Sequence, residues 1–522
     1  MKLIKLLSVS LALSAGLVVA QDRTSTLIYG GDWTDLITAD PGVSYEFTGG
    51  LVTDNLYETL VKFEGTDLST LKPGLAEKWD VKNTGQGWLV TFNLRKGSKF
   101  STGREVTAKD VVYSFERVLA IKGPSSFLFT DVANIKPGSA KAVDNYTVQV
   151  TLPKTASPQA FLNLLTFNIG GIVDSEEVKS HEQGGDSGKA WLTDHSAGSG
   201  PFVLNRWDRN SQVVLTANPN ARLQPKLKQV ILRYLPEPQA QRVALESGEI
   251  DIAENLTPEM LRAFASNNKF KVYKSDNLRL RYIGMNSKEG SPFANPKVRE
   301  AVRYAINQDE IINDLLLGNA TKTQTIIPKG LLGYNANIYY PYDPARAKKL
   351  LAEAGVPNGF EFELLTATAS CDFVPCGDLA AKIQADLAKI GLKANIKQIQ
   401  NSEVLKAYRA QQAQMVLVAW SPDFPDPDGN ATPMSDYNAK SLAYRNVWNN
   451  PTAAKLAQQA ALEATPAKRA ALYKLLTELV LKEGPYAILY QPAQNTTFSV
   501  KVEGYVRNGQ NQVRFENISK QP

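Results

Sequence analysis

Strand-like and helix-like hydrophobic periods alternate along the whole of this chain, with no low-complexity tract or internal repeat among them. That alternation requires helices packed against sheets, an α/β fold of mixed sheets. Trp88, Val90, Phe92 and Leu94 alternate with Leu89, Thr91 and Asn93, which predicts a half-buried strand over 88–94. Thr107, with Asp110 three residues on, caps a predicted helix to Leu119 whose Val111, Val112, Phe115, Val118 and Leu119 share one face. Asn295-Pro296 opens a second helix expected to run to Gly318, Asp343-Pro344 opens a third ended by Gly355, and a fourth runs from Asp378 to Gly391. Leu392, Ala394 and Ile396 then alternate with polar residues as a strand. A chain of 522 residues exceeds what one core supports, so two or three domains are expected, with Gly/Pro-rich crossings near 196–201 and 286–296.

The first twenty residues carry an export signal. Lys2 and Lys5 precede an apolar run from Leu6 to Val19, which ends in Val18-Val19-Ala20, so cleavage is expected before Gln21. The stretch from Leu6 to Ala20 falls short of the roughly 20 residues that span a bilayer, and no stop-transfer segment follows it. No cysteine stands at the cleavage site to carry a lipid, so a periplasmic protein without a lipid anchor is expected. Lysine and arginine number 58 against 52 acidic residues; without Lys2 and Lys5 the count is 56 against 52, a net +4 with no dense basic block. Such a charge distribution argues against nucleic acid as a partner.

Cys371 and Cys376 are the only cysteines and share one short loop, where an oxidising compartment lets them form a local disulfide. His181 and His195 are the only histidines and lie far from the cysteines in sequence, so no metal site and no cofactor is expected. Enzyme motifs are fragmentary. Ser69 to Lys72 fits S-x-x-K and Ser275-Asp276-Asn277 fits S-D-N, but K-T-G is missing. Gly184 to Lys189 is one residue short of a phosphate loop, with Ala190 where a magnesium-binding hydroxyl belongs. Both read as surface turns, and the chain reads as a non-enzyme.

The segment PGLAEKWDVKNTGQGWLVTFNLRKGSKFSTGREVTAKDVVYSFERVL at 73–119 resembles the hallmark segment of family 5 extracellular solute-binding proteins, the dipeptide, oligopeptide and nickel binders of ABC importers. The likeness continues in order through LYETLV at 56–61, GSGPFVL at 198–204, ALESGEIDIA at 244–253 and NPKVREAVRYAINQDEII within 282–333. The resemblance implies a bilobal type II periplasmic-binding fold of three domains with a ligand cleft between the lobes. By analogy domain I comprises 21–55, 196–283 and 485–522, domain II 56–195, and domain III 284–484. It further implies a monomer that captures di- or oligopeptides and hands them to permease subunits served by separate ATPase subunits. An oligosaccharide, bound by some members, is the alternative ligand.

Residues 411–429, QQAQMVLVAWSPDFPDPDG, read as a short buried strand from Met415 to Ala419 that Pro422, Pro425 and Pro427 turn into an irregular loop. In peptide binders of the family, the Asp three residues after the Trp of this segment pairs with the ligand's amino terminus; the matching residue is Asp423, beside Trp420 as a stacking wall. Leaving either charge of such a pair alone in a closed cleft costs about 2 to 5 kcal/mol. Asp426 and Asp428 read as turn residues of a solvated loop. Gly198 and Ser199 at a domain crossing, and Trp33 and Tyr45 in the first mature segment, complete the candidate ligand-binding set. The chain departs from the dipeptide binders in one respect: the loop 366–378 before the fourth helix contains no basic residue to hold a ligand carboxylate. A longer peptide gripped through its backbone fits that departure better than a dipeptide held at both ends.

Overall fold

The computed structural model describes residues 23–522, so the expected export signal lies outside the described residues. Two main sheets organise the chain. The larger runs, in order of pairing, through Lys393–Ile399, Glu361–Ala367, Met415–Trp420, Leu280–Met285, Tyr486–Ser499, Ile252–Glu254, Thr26–Gly31, Gln229–Tyr234, Gln212–Ala217 and Phe202–Asp208. The smaller is a four-stranded antiparallel sheet, Ala76–Asn83, Gly87–Leu94, Thr147–Pro153 and Ala140–Asp144.

Local chemistry explains the elements. In Gly87–Leu94 the residues Val90, Phe92 and Leu94 are buried against helix Ala108–Ile121, as their alternation requires. At the start of that helix the Asp110 carboxylate accepts the Thr107 backbone N–H at 2.9 Å. The Asn295 side chain caps helix Pro296–Ala305 by accepting the Lys297 N–H at 3.0 Å. That helix stops well before Gly318. Ile306 turns extended, and Asn307 caps a new helical stretch over 308–315 by accepting the Glu310 N–H at 3.3 Å. The helices Pro344–Glu353 and Cys376–Ala388 follow, the second starting two residues before Asp378, and Gly355 and Gly391 take the left-handed conformation beyond their ends.

The 14-residue strand Tyr486–Ser499 joins the two halves of the large sheet. Its first part pairs with Leu280–Met285 and its second part with Phe270–Asp276. The chain between those two partners, Asn277 to Arg279, therefore lies where the halves meet. Apolar cores form on both sides of that junction, one around 283–417 and another uniting 27–57 with 173–232 and 498–518. Phe424, on the loop after Met415–Trp420, inserts into the core of the four-stranded sheet. This loop thus spans two structural units.

Candidate functional site

Strand Met415–Trp420 ends at the junction, and Ser421, Pro422, Asp423, Phe424 and Pro425 line a cavity of about 320 Å³ there. Opposite them stand Tyr45, Glu46, Phe47 and Gly50 from the first segment, Phe167, and the turn Gly509 to Asn511. Asn277 and Leu278 complete the wall at the meeting point of the sheet halves. A second cavity of about 360 Å³ shares Asp35, Phe47, Asn277 and Asn511 with the first. A third, of about 310 Å³, shares Leu278 and Gly509 with the first and Ala493 and Arg507 with the second, and presents Lys274 and Lys329. The three form one branched cleft.

Asp423 and Tyr45, 378 residues apart, meet in this cleft: the Tyr45 hydroxyl donates to Asp423 Oδ1 at 2.8 Å. Burial raises the Asp423 carboxyl above the usual carboxylate range, and the Tyr45 hydrogen bond opposes that rise. Its own burial, and after that the charge and contact of Asp423, push the Tyr45 hydroxyl upward. Among the described residues, none supplies a cation to Asp423. A partly desolvated carboxylate with one neutral donor has hydrogen-bonding capacity left for an ammonium.

The other sequence candidates are dispersed. Trp33 lines the second cavity, mostly buried, with its indole N–H donated to the Arg233 carbonyl at 2.9 Å and its ring edge-on to Tyr29. Trp420 turns from the Asp423 cavity; its indole N–H donates to the Gly429 carbonyl at 2.9 Å, which pins the loop's return. Gly198 packs on Leu56 and Tyr57, where a β-carbon would lie 2.0 Å from the Leu56 carbonyl oxygen. Ser199 lines a separate small cavity with Glu58, Lys62 and Arg222.

The expectation of a solvated Asp426 is corrected by its surroundings. Asp426 is 0% exposed and receives both terminal nitrogens of Arg469, at 2.7 and 2.8 Å, plus the Asn163 amide at 2.7 Å. Asp428 opens the helix Asp428–Ser435 and accepts the Thr432 hydroxyl; burial and the Asp426 charge push its carboxyl up to about 6. Sequence reasoning also missed Asp372. Cys371 and Cys376 form a disulfide with Cα atoms 4.7 Å apart, and Asp372 inside that loop pairs with Arg279 and Arg281 at 3.3 and 3.1 Å. The loop that lacks a base thus contributes an acid, and Arg279, from the junction, lines the second cavity. An acid inside a short cysteine loop in an otherwise base-free segment was the available signal.

The sequence profile described as bacterial extracellular solute-binding proteins, family 5 (middle), matches residues 70–441. A dipeptide-binding protein of Escherichia coli (strain K12) is 29% identical over 541 residues, covering 98% of each chain. Among solved structures, HbpA2 from Haemophilus parasuis superposes with a TM-score of 0.84 at 26% identity, covering 95% of this chain and all of that one. The periplasmic binding protein DppA from Helicobacter pylori, in complex with the peptide STSA, superposes with a TM-score of 0.72 at 27% identity over 95% and 98% of the two chains. With a mixed α/β fold of this topology and a profile match across most of its length, the chain belongs to the bacterial extracellular solute-binding proteins of family 5.

Proposed function

We propose that this protein is the periplasmic substrate-binding component of an ABC importer, and that it captures peptides with their amino terminus on Asp423. The observation that carries the reading is the Asp423 carboxylate itself, partly desolvated, held by Tyr45 and facing a cavity of about 320 Å³ at the meeting of the sheet halves. A cavity of this size, largely apolar with a few convergent polar groups, suits a small solute. The peptide-bound H. pylori relative and the E. coli dipeptide binder support the ligand class.

Domain I in this reading comprises 21–55, 196–283 and 485–522, domain II 56–195 and domain III 284–484, with the ligand between domain III and the domain I face. Ligand bridges the half-sites and shifts the population toward the closed form, which the permease recognises. Export by the signal at 1–20 places the protein, a monomer, in the periplasm. No helix among the described residues is long and apolar enough to cross a membrane. Permease and ATPase subunits are separate chains. Trp33 and Tyr45 contribute to the cleft walls, Trp420 holds the loop that carries Asp423, and Gly198 and Ser199 pack away from the cleft.

The test is calorimetric titration of wild type and Asp423→Ala with a panel of di- to pentapeptides of alanine. Wild type binds at least one peptide, and Asp423→Ala weakens it at least about 30-fold, the equivalent of 2 kcal/mol. Unchanged affinity in the variant removes the amine anchor, and binding of an oligosaccharide in place of every peptide removes the ligand class.

A further inference from the structure

The cavity around Asp423 has two properties that the amine anchor alone does not require. Among the described residues its lining contains no lysine, arginine or histidine, and its carboxylates, Asp35 and Glu46 besides Asp423, are the charged groups on it. The remaining wall is dominated by apolar side chains, among them Phe47, Phe167 and Leu278. Phe47 is 60% exposed although it lines both the first and second cavities. An exposed aromatic on a cleft wall offers apolar surface that the side chain of a bound solute can cover.

In an α-amino acid the ammonium and the side chain leave the same carbon, so an ammonium on Asp423 places the first side chain of the peptide inside this same cavity. We infer that the cavity selects peptides whose first residue is apolar, aromatic or large aliphatic, and rejects those whose first residue is acidic. This inference rests on the Asp423 amine anchor. Burying an aromatic side chain against Phe47 and Phe167 removes apolar surface of both partners from water, which methyl-bearing alanine cannot match. With Asp423 paired to the ammonium, an acidic side chain still meets the Asp35 and Glu46 carboxylates and no protein cation on this wall, a like-charge contact in a partly desolvated site. The third cavity, which shares Leu278 and Gly509 with this one and is lined by Lys274 and Lys329, offers room for the rest of the peptide.

The experiment titrates the wild-type protein with Phe-Ala-Ala, Ala-Ala-Ala and Glu-Ala-Ala, and repeats the series with Phe47→Ala and with Glu46→Gln. Phe-Ala-Ala is expected to bind at least about tenfold tighter than Ala-Ala-Ala, and Glu-Ala-Ala at least about tenfold weaker. Phe47→Ala is expected to shrink the first ratio and Glu46→Gln the second, with Ala-Ala-Ala changed less than the peptide each variant is aimed at. Equal binding of all three tripeptides overturns the first-residue selection while the peptide reading stands. Binding of none of the three, with an oligosaccharide bound instead, overturns both.

Discussion

Replacing Arg469 with methionine separates the loop that carries Asp423 from the framework that holds it. Arg469 is 1% exposed; its guanidinium makes two hydrogen bonds to Asp426, one to the Ala460 carbonyl at 3.1 Å and one to the Tyr473 hydroxyl at 3.1 Å. In Arg469→Met the Asp426 carboxylate keeps the Asn163 amide and the Asp428 backbone N–H at 2.8 Å, but has lost its counter-charge in an interior with no water contact. Breaking a buried pair from one side costs about 3 to 5 kcal/mol, because the remaining charge must be desolvated alone. The pair itself contributes far less, so Asp426→Leu together with Arg469→Met is expected to be more stable than Arg469→Met alone. Urea unfolding of the four proteins of this cycle reads both numbers. Peptide titration of Arg469→Met reads a loss of affinity, although Arg469 lines none of the three cavities, because Asp426 anchors the loop three residues from Asp423. An Arg469→Met protein within 1 kcal/mol of wild type would refute the reasoning.

Asp54, 6% exposed on helix Phe47–Leu56, has its carboxyl pushed from 3.8 up to about 6, chiefly by burial. The folded state therefore holds that proton more tightly than the unfolded chain, so stability falls as pH rises from about 3.8 to about 6 and the loss is complete above; Asp54→Asn is expected to stabilise by up to about 3 kcal/mol at pH 8 and to be neutral near pH 3.5, as denaturation at the two pH values reads. Peptide affinity should fall in acid as Asp423 takes up a proton, at a pH above the ordinary 3.8 because burial raises its carboxyl, and Asp423→Asn should abolish that pH dependence in calorimetry. Cys371→Ser with Cys376→Ser opens a loop of sequence separation 5 and is expected to cost about 2 kcal/mol in thermal or chemical unfolding while leaving the secondary structure seen by circular dichroism intact.

The readable parts of this molecule are those whose cause is local. Thr107 with Asp110, Asn295 with Pro296 and Asp343 with Pro344 mark helix starts because each cap is satisfied within a few residues. The Met415–Trp420 strand was legible as an apolar run, and the disulfide as two cysteines in one loop. The break at Asn307 was not, because an asparagine inside a helical period can either continue the helix or cap a new one, and the Asn307 N–H is drawn to Asp386 from a distant helix. Strand Tyr486–Ser499 shows no period of two because nearly all of it is buried on both faces. Asp426 looked like a solvated turn residue because its partners, Arg469 and Asn163, lie 43 and 263 residues away. The site has the same character: Asp423 was picked out by its segment and Tyr45 by its place in the first mature segment, whereas the contact between them, Arg279 and the shared cavity walls exist only once the sheet halves meet.

The most direct test of the amine anchor compares trialanine with N-acetyl-trialanine on wild type and on Asp423→Asn by titration calorimetry. Acetylation converts the ammonium into a neutral amide and adds an acetyl group, so wild type should lose at least about 30-fold in affinity, whereas Asp423→Asn, which has no carboxylate to leave unpaired but keeps the same space, should lose far less between the two peptides. Equal binding of free and acetylated peptide by the wild-type protein would contradict the account.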